Sequence, residues 1–126
     1  AGDHGSTFGG NFLSTRAGIE VLEILEGYKQ SGMLDEALIY FEEKLKALCM
    51  AYPQMFESVE GLGLMRGLRC KDSDTLANII KKAFEHGVLV LKAGKNTLRL
   101  LPPLTISKEE MDEGIKRLER AIQALL

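Results

Sequence analysis

Ser6 and Thr7 stand side by side within His4-Gly5-Ser6-Thr7-Phe8-Gly9-Gly10-Asn11, a stretch holding two hydroxyls, an aromatic ring and three glycines. Glycine lets a backbone approach a ligand closely, because no Cβ intervenes and positive φ costs little. Hydroxyl donors just ahead of a helix, where the first N–H groups lack intrahelical partners, are the parts of an anion cradle. The simplest anion for it is a phosphate. The same composition also makes a plain surface turn. It is not a Walker loop, since no Gly-Lys-Ser/Thr follows.

Arg99 is the second candidate. In Thr97-Leu98-Arg99-Leu100-Leu101 a strand would turn Thr97, Arg99 and Leu101 to one face and Leu98 and Leu100 to the other. An arginine among leucines does not belong to a solvated charge run. Its planar fork suits a carboxylate held by two parallel bonds. The competing reading is an edge arginine whose stem covers apolar surface while its head reaches water.

Other residues invite chemistry and have plainer explanations. His4 reads as a local hydrogen-bonding residue and His86 as a favourable charge at a helix C-terminus. Lys92 and Lys95 read as solvated turn lysines, and Arg66 and Arg69 as surface residues. Gly61, Gly63 and Gly67 miss the dinucleotide-binding spacing by one residue, with no helix starting there.

These groups need elements to position them. Residues from about Phe12 to Tyr28 read as an amphipathic helix with a broad buried face, punctuated by Ser31-Gly32. A second helix, about Leu34 to Tyr52, carries the stripe Leu34, Leu38, Phe41, Leu45, Leu48 and Tyr52, and Pro53 closes it. Ser58 to Cys70 predicts a strand or bent pair of strands, its glycines at a bulge or close crossing. Asp72 or Ser73 caps a third helix to about His86, with Gly87 as a left-handed C-cap. Val88 to Leu91 and Thr97 to Leu101 read as strands joined through Gly94-Lys95-Asn96. Ser107 and Glu110 form a capping box for the last helix, with Ile106 and Met111 as its hydrophobic staple. The order predicts an α+β fold, a small, mainly antiparallel sheet covered by helices on one face.

Composition sets bounds. The chain has 126 residues, enough for one domain with a core, and its 45% apolar and 27% charged residues are ordinary for a globular protein. A net charge of −2 gives no electrostatic case for nucleic acid or an anionic membrane. No apolar run reaches the ~20 residues that span a bilayer. Cys49 and Cys70 lack metal-ligand spacing, no metal site is expected, and the two read as reduced thiols of a cytoplasmic protein. The start at Ala1 reads as that of a fragment or processed piece.

The loop Gly2-Asp3-His4-Gly5-Ser6-Thr7-Phe8-Gly9-Gly10-Asn11 resembles that of the class-III pyridoxal-phosphate-dependent aminotransferases, which act on ω-amino groups. Leu98-Arg99-Leu100-Leu101-Pro102-Pro103-Leu104 resembles the arginine-bearing strand of the same family, and Ala93-Gly94-Lys95-Asn96 favours its acetylornithine branch. The resemblance covers essentially the whole chain but only the last third or so of such an enzyme. It departs at Phe12, where the family usually has proline. It implies the C-terminal small domain of the fold-type I transferase fold. Residues 1–11 would be a cofactor-phosphate loop from the large domain, 12–30 a connecting helix and 31–126 the small domain.

By the same resemblance, Thr7 contacts the phosphate of pyridoxal 5'-phosphate bound in the partner subunit of a homodimer, with the active site at the interface. Ser6 lies near substrate, and Arg99 grips the substrate α-carboxylate or 2-oxoglutarate. The implied reaction moves the terminal amino group of N2-acetylornithine to 2-oxoglutarate in arginine biosynthesis. Ornithine, succinylornithine and 4-aminobutyrate enzymes share both motifs. The family's catalytic lysine lies upstream of the loop, so no catalytic residue falls in this chain, and the fragment alone is expected to be inactive. The alternative is a free-standing α+β module in which Ser6, Thr7 and Arg99 bind a small anion.

Overall fold

A computed structural model describes residues 5–126, so His4 lies outside the described residues. The chain forms two compact units, Ala1–Asp35 and Glu36–Leu126. In the first, helix α1 spans Phe12–Gln30. Asn11 caps it, its side-chain oxygen accepting from the Ser14 N–H at 2.9 Å while its amide donates to the Phe8 carbonyl at 2.7 Å. Phe12, at the first helical position, is 95% exposed. Asparagine therefore starts the helix without the proline whose fixed φ would otherwise do so. The buried face expected for α1 is absent: none of its residues is buried, and Val21, Leu22 and Ile24 are exposed. Periodicity reports an apolar stripe but does not say what covers it.

Helix α2 spans Met33–Ala51 after a turn in which Gly32 takes φ 78°. The second unit continues with β1 (Phe56–Leu62), β2 (Met65–Cys70), α3 (Ser73–Glu85), β3 (Leu91–Ala93), β4 (Thr97–Leu100) and α4 (Lys108–Gln123). The four strands form one sheet in the order β1-β2-β4-β3, with all pairs antiparallel. The fold is α+β. The strand expected over Val88 to Leu91 starts only at Leu91, so Lys92 lies on β3 rather than in a turn. The partner strand ends at Leu100, with Leu101 beyond it.

Helices α3 and α4 each have a cap that explains their start. Asp72 accepts from the Thr75 N–H at 2.7 Å ahead of α3, and Ser107 and Glu110 exchange both bonds of a capping box ahead of α4. Phe41, Leu45 and Leu48 of α2, Leu76 and Ile79 of α3, and Leu118 and Ile122 of α4 are buried together with Leu68 and Leu98 of the sheet. This core lies on the sheet face that carries Leu68, Cys70, Leu98 and Leu100. The opposite face carries Ser58, Glu60, Gly67, Arg69, Thr97 and Arg99. A bulge at Glu57 lets Phe56 join the core while Ser58 falls on the opposite face. Gly61 is the close crossing: at φ 96°, a Cβ there would overlap the Met65 carbonyl.

Candidate functional site

On the sheet face opposite the core the register sets residues into cross-strand rows. Glu60 of β1 pairs with Gly67 of β2, Gly67 with Arg99 of β4, and Arg99 with Leu91 of β3. The neighbouring row runs Ser58, Arg69, Thr97 and Ala93. Glu60, Gly67, Thr97 and Arg99 of these rows, with Leu62 and Met65 beside them, line a shallow concavity of about 370 Å³. The Arg99 Nε is buried and has no hydrogen-bond partner among the described residues. A guanidinium N–H left without an acceptor is costly, and an anion seated beside it would remove that cost.

The surroundings of Arg99 are fixed by two arginines that read, from sequence, as surface residues. Arg69, with 22% of its side chain exposed, donates to the Lys95 carbonyl at 2.8 Å and pairs with Glu60 at 3.6 Å. Cys70 N–H also donates to the Asn96 carbonyl at 2.9 Å. These bonds hold Lys95 and Asn96 at φ 54° and 53°, a left-handed backbone unusual for a lysine. The turn leading into β4 is thereby set. Arg66, whose side chain is 11% exposed, donates to the carbonyls of Gly63 at 2.9 Å and Gly61 at 2.8 Å and pairs with Glu42 of α2. It ties the β1–β2 hairpin to the helix layer. The sequence signal for both was the i, i+3 pair of arginines within a strand otherwise made of apolar and small residues. The Ser58 hydroxyl, and then Arg69, hold the Glu60 carboxyl below its usual range, so it is an anion at neutral pH.

Ser6 and Thr7 adjoin in the loop of the first unit, both exposed. The loop closes on itself through Gly9 N–H donating to the Ser6 carbonyl at 3.4 Å, and Gly10 takes φ 78°. A Cβ at Gly9 would stand 3.1 Å from Ser6 Cβ and 3.2 Å from its Oγ, so glycine keeps the hydroxyl unobstructed. Hydroxyls on a glycine-framed loop ahead of a capped helix suit a phosphate group.

The chain matches the family aminotransferase class-III over residues 1–122 and belongs to that family. It is similar to acetylornithine aminotransferases. It is 54% identical over 124 residues to that of Wolinella succinogenes, covering 98% of this chain and 32% of that protein. It is 41% identical over 128 residues to that of Rhodobacter capsulatus, covering 99% and 31%. Among solved structures, a lysine aminotransferase from M. tuberculosis superposes with a TM-score of 0.84 at 27% identity, covering 98% of this chain and 28% of that one. The acetylornithine aminotransferase of Elizabethkingia anophelis does so with a TM-score of 0.81 at 29% identity, covering 98% and 33%. The chain thus spans about a third of the relatives it matches. The α+β architecture is that of the pyridoxal-phosphate transferases. Pyridoxal phosphate is the family's cofactor. Of the described residues, the loop's hydroxyls and framing glycine fit its phosphate end.

Proposed function

We propose that this chain is the C-terminal part of a pyridoxal-phosphate-dependent aminotransferase. Such an enzyme transfers the terminal amino group of N2-acetylornithine to 2-oxoglutarate in arginine biosynthesis. The observation that carries this reading is the Nε of Arg99, buried and without a partner among the described residues, on the sheet face opposite the core. Acetylornithine, as donor, is supported by the names of the relatives. Residues 1–11 are then the cofactor-phosphate loop, 12–30 the connecting helix and 31–126 the small domain.

Thr7 would donate its hydroxyl to the phosphate of the cofactor held by the partner subunit, and Ser6 would contact substrate. Arg99 would fix the substrate α-carboxylate or that of 2-oxoglutarate through its fork, orienting the carbon chain so that only its far end can react. The bound cofactor supplies the electron sink on which an amino group is exchanged for a carbonyl oxygen. The exposed apolar residues of α1, among them Phe12, Leu13 and Leu22, are compatible with a homodimer. We place the enzyme in the cytoplasm, and no helix among the described residues is long and apolar enough to cross a membrane.

The test is an assay of the full-length protein with N2-acetylornithine, ornithine and 4-aminobutyrate as donors and 2-oxoglutarate as acceptor. The reading expects the highest kcat/KM with N2-acetylornithine. Preference for another donor would reassign the substrate, and no transamination with any of them would remove the reading. The 126-residue chain alone is expected to be inactive.

A further inference from the structure

We infer that Gly67 is a positioning residue for carboxylate binding, because its missing side chain leaves room for Thr97 and so seats the strand that carries Arg99. The inference rests on the proposed role of Arg99. Gly67 occupies the cross-strand position opposite Arg99, between it and Glu60 in one row. Its φ is not positive, so nothing in its backbone conformation demands glycine. The demand is spatial. A Cβ built at Gly67 would overlap the Thr97 Cγ2 methyl and stand 3.4 Å from the Leu98 carbonyl oxygen.

Thr97 cannot readily give way. It is 7% exposed, β-branched and therefore stiff at χ1, and two residues before Arg99 on the same strand face. A side chain at position 67 would push Thr97 aside or spread β2 from β4 at the Gly67–Arg99 pair. Either change moves the strand that carries the guanidinium. With only hydrogen there, Thr97 and Arg99 keep their places along the concavity that a small carboxylate would enter. Glu60, at the far end of the row and ionised, disfavours a second negative group on that side.

The test is steady-state kinetics of the full-length protein, with Gly67→Ala introduced into the natural Thr97 background and into a Thr97→Ser background. Serine lacks the Cγ2 atom that the new methyl would meet. Gly67→Ala should raise KM for 2-oxoglutarate at least about tenfold with Thr97 present, with a smaller change in kcat. In the Thr97→Ser background the same change should raise KM by less than about threefold. An equal rise in both backgrounds, or none in either, would overturn the inference. So would a Gly67→Ala protein that folds only with serine at 97 and then binds 2-oxoglutarate normally, because Gly67 would then be needed for folding alone. Arg99→Gln, measured alongside, separates the two ideas. If Arg99→Gln leaves KM unchanged, the role of Arg99 itself fails. If Arg99→Gln raises KM and Gly67→Ala does not, only the role of Gly67 fails.

Discussion

Replacing Arg66 with methionine should be the most damaging single change to the hairpin that frames the site. Arg66 donates to the carbonyls of Gly61 and Gly63 and also pairs with Glu42. A hydrogen bond from a charged donor contributes roughly 1.5–3 kcal/mol. The Gly61 carbonyl lies on an exposed residue and regains water, so the two carbonyl bonds together should account for about 2–4 kcal/mol. The Glu42 pair adds less, because that carboxylate keeps Lys46 at 2.7 Å when Arg66 is gone. Urea unfolding of the 126-residue chain should show the loss as a lower midpoint at unchanged slope, and Tm should fall by at least about 8 °C. Glu42→Gln leaves both carbonyl bonds intact and should cost a small fraction of that. A loss below about 0.5 kcal/mol for Arg66→Met, or an equal loss for Glu42→Gln, would refute the reasoning.

Three further expectations concern the same unit. Gly61→Ala forces a side chain onto a left-handed backbone, costing about 1–2 kcal/mol, and adds overlap with the Met65 carbonyl. Its unfolding midpoint should therefore drop by more than the conformational cost alone, and a neutral variant would mean the crossing relaxes. Lys44, and then the Tyr40 hydroxyl, hold the Asp112 carboxyl below its ordinary value of 3.8; Lys46, and then Arg66, do the same for Glu42 from 4.5. Contributions of this sign are complete above the unfolded-state values and disappear as pH falls through the lower folded ones. Tm should be flat from neutrality to about pH 5 and decline in more acid solution, less steeply in Asp112→Asn. Burial pushes the Cys70 thiol up to about 11, and the residue is 1% exposed. A thiol reagent at pH 8 should therefore label it only on unfolding, and labelling at the rate of half-buried Cys49 would contradict that.

The parts of this fold that depend on local rules could be read from the chain. Asp72 and Ser107 cap helices because their side chains satisfy N–H groups two or three residues on. The α2 stripe found its core because only one face of a helix can carry that spacing. The alternation Leu98, Arg99, Leu100 placed Arg99 away from the core before any neighbour was known. What depended on neighbours was not legible. The exposure of the α1 stripe, the place of Val88–Val90 outside the sheet, the pairing of Arg66 with Glu42 and the bond of Arg69 to the Lys95 carbonyl depend on what packs against each, which residue spacing does not state. Gly67 belongs with these, since its reason for being glycine is a threonine on another strand.

The measurement that bears most directly on the account is KM for 2-oxoglutarate in the full-length protein carrying Arg99→Gln. Removing a charged, two-point grip on a carboxylate costs about 1.5–3 kcal/mol, so KM should rise roughly 10- to 150-fold, with a smaller change in kcat. A KM within about twofold of the parent protein would mean that Arg99 does not hold the carboxylate.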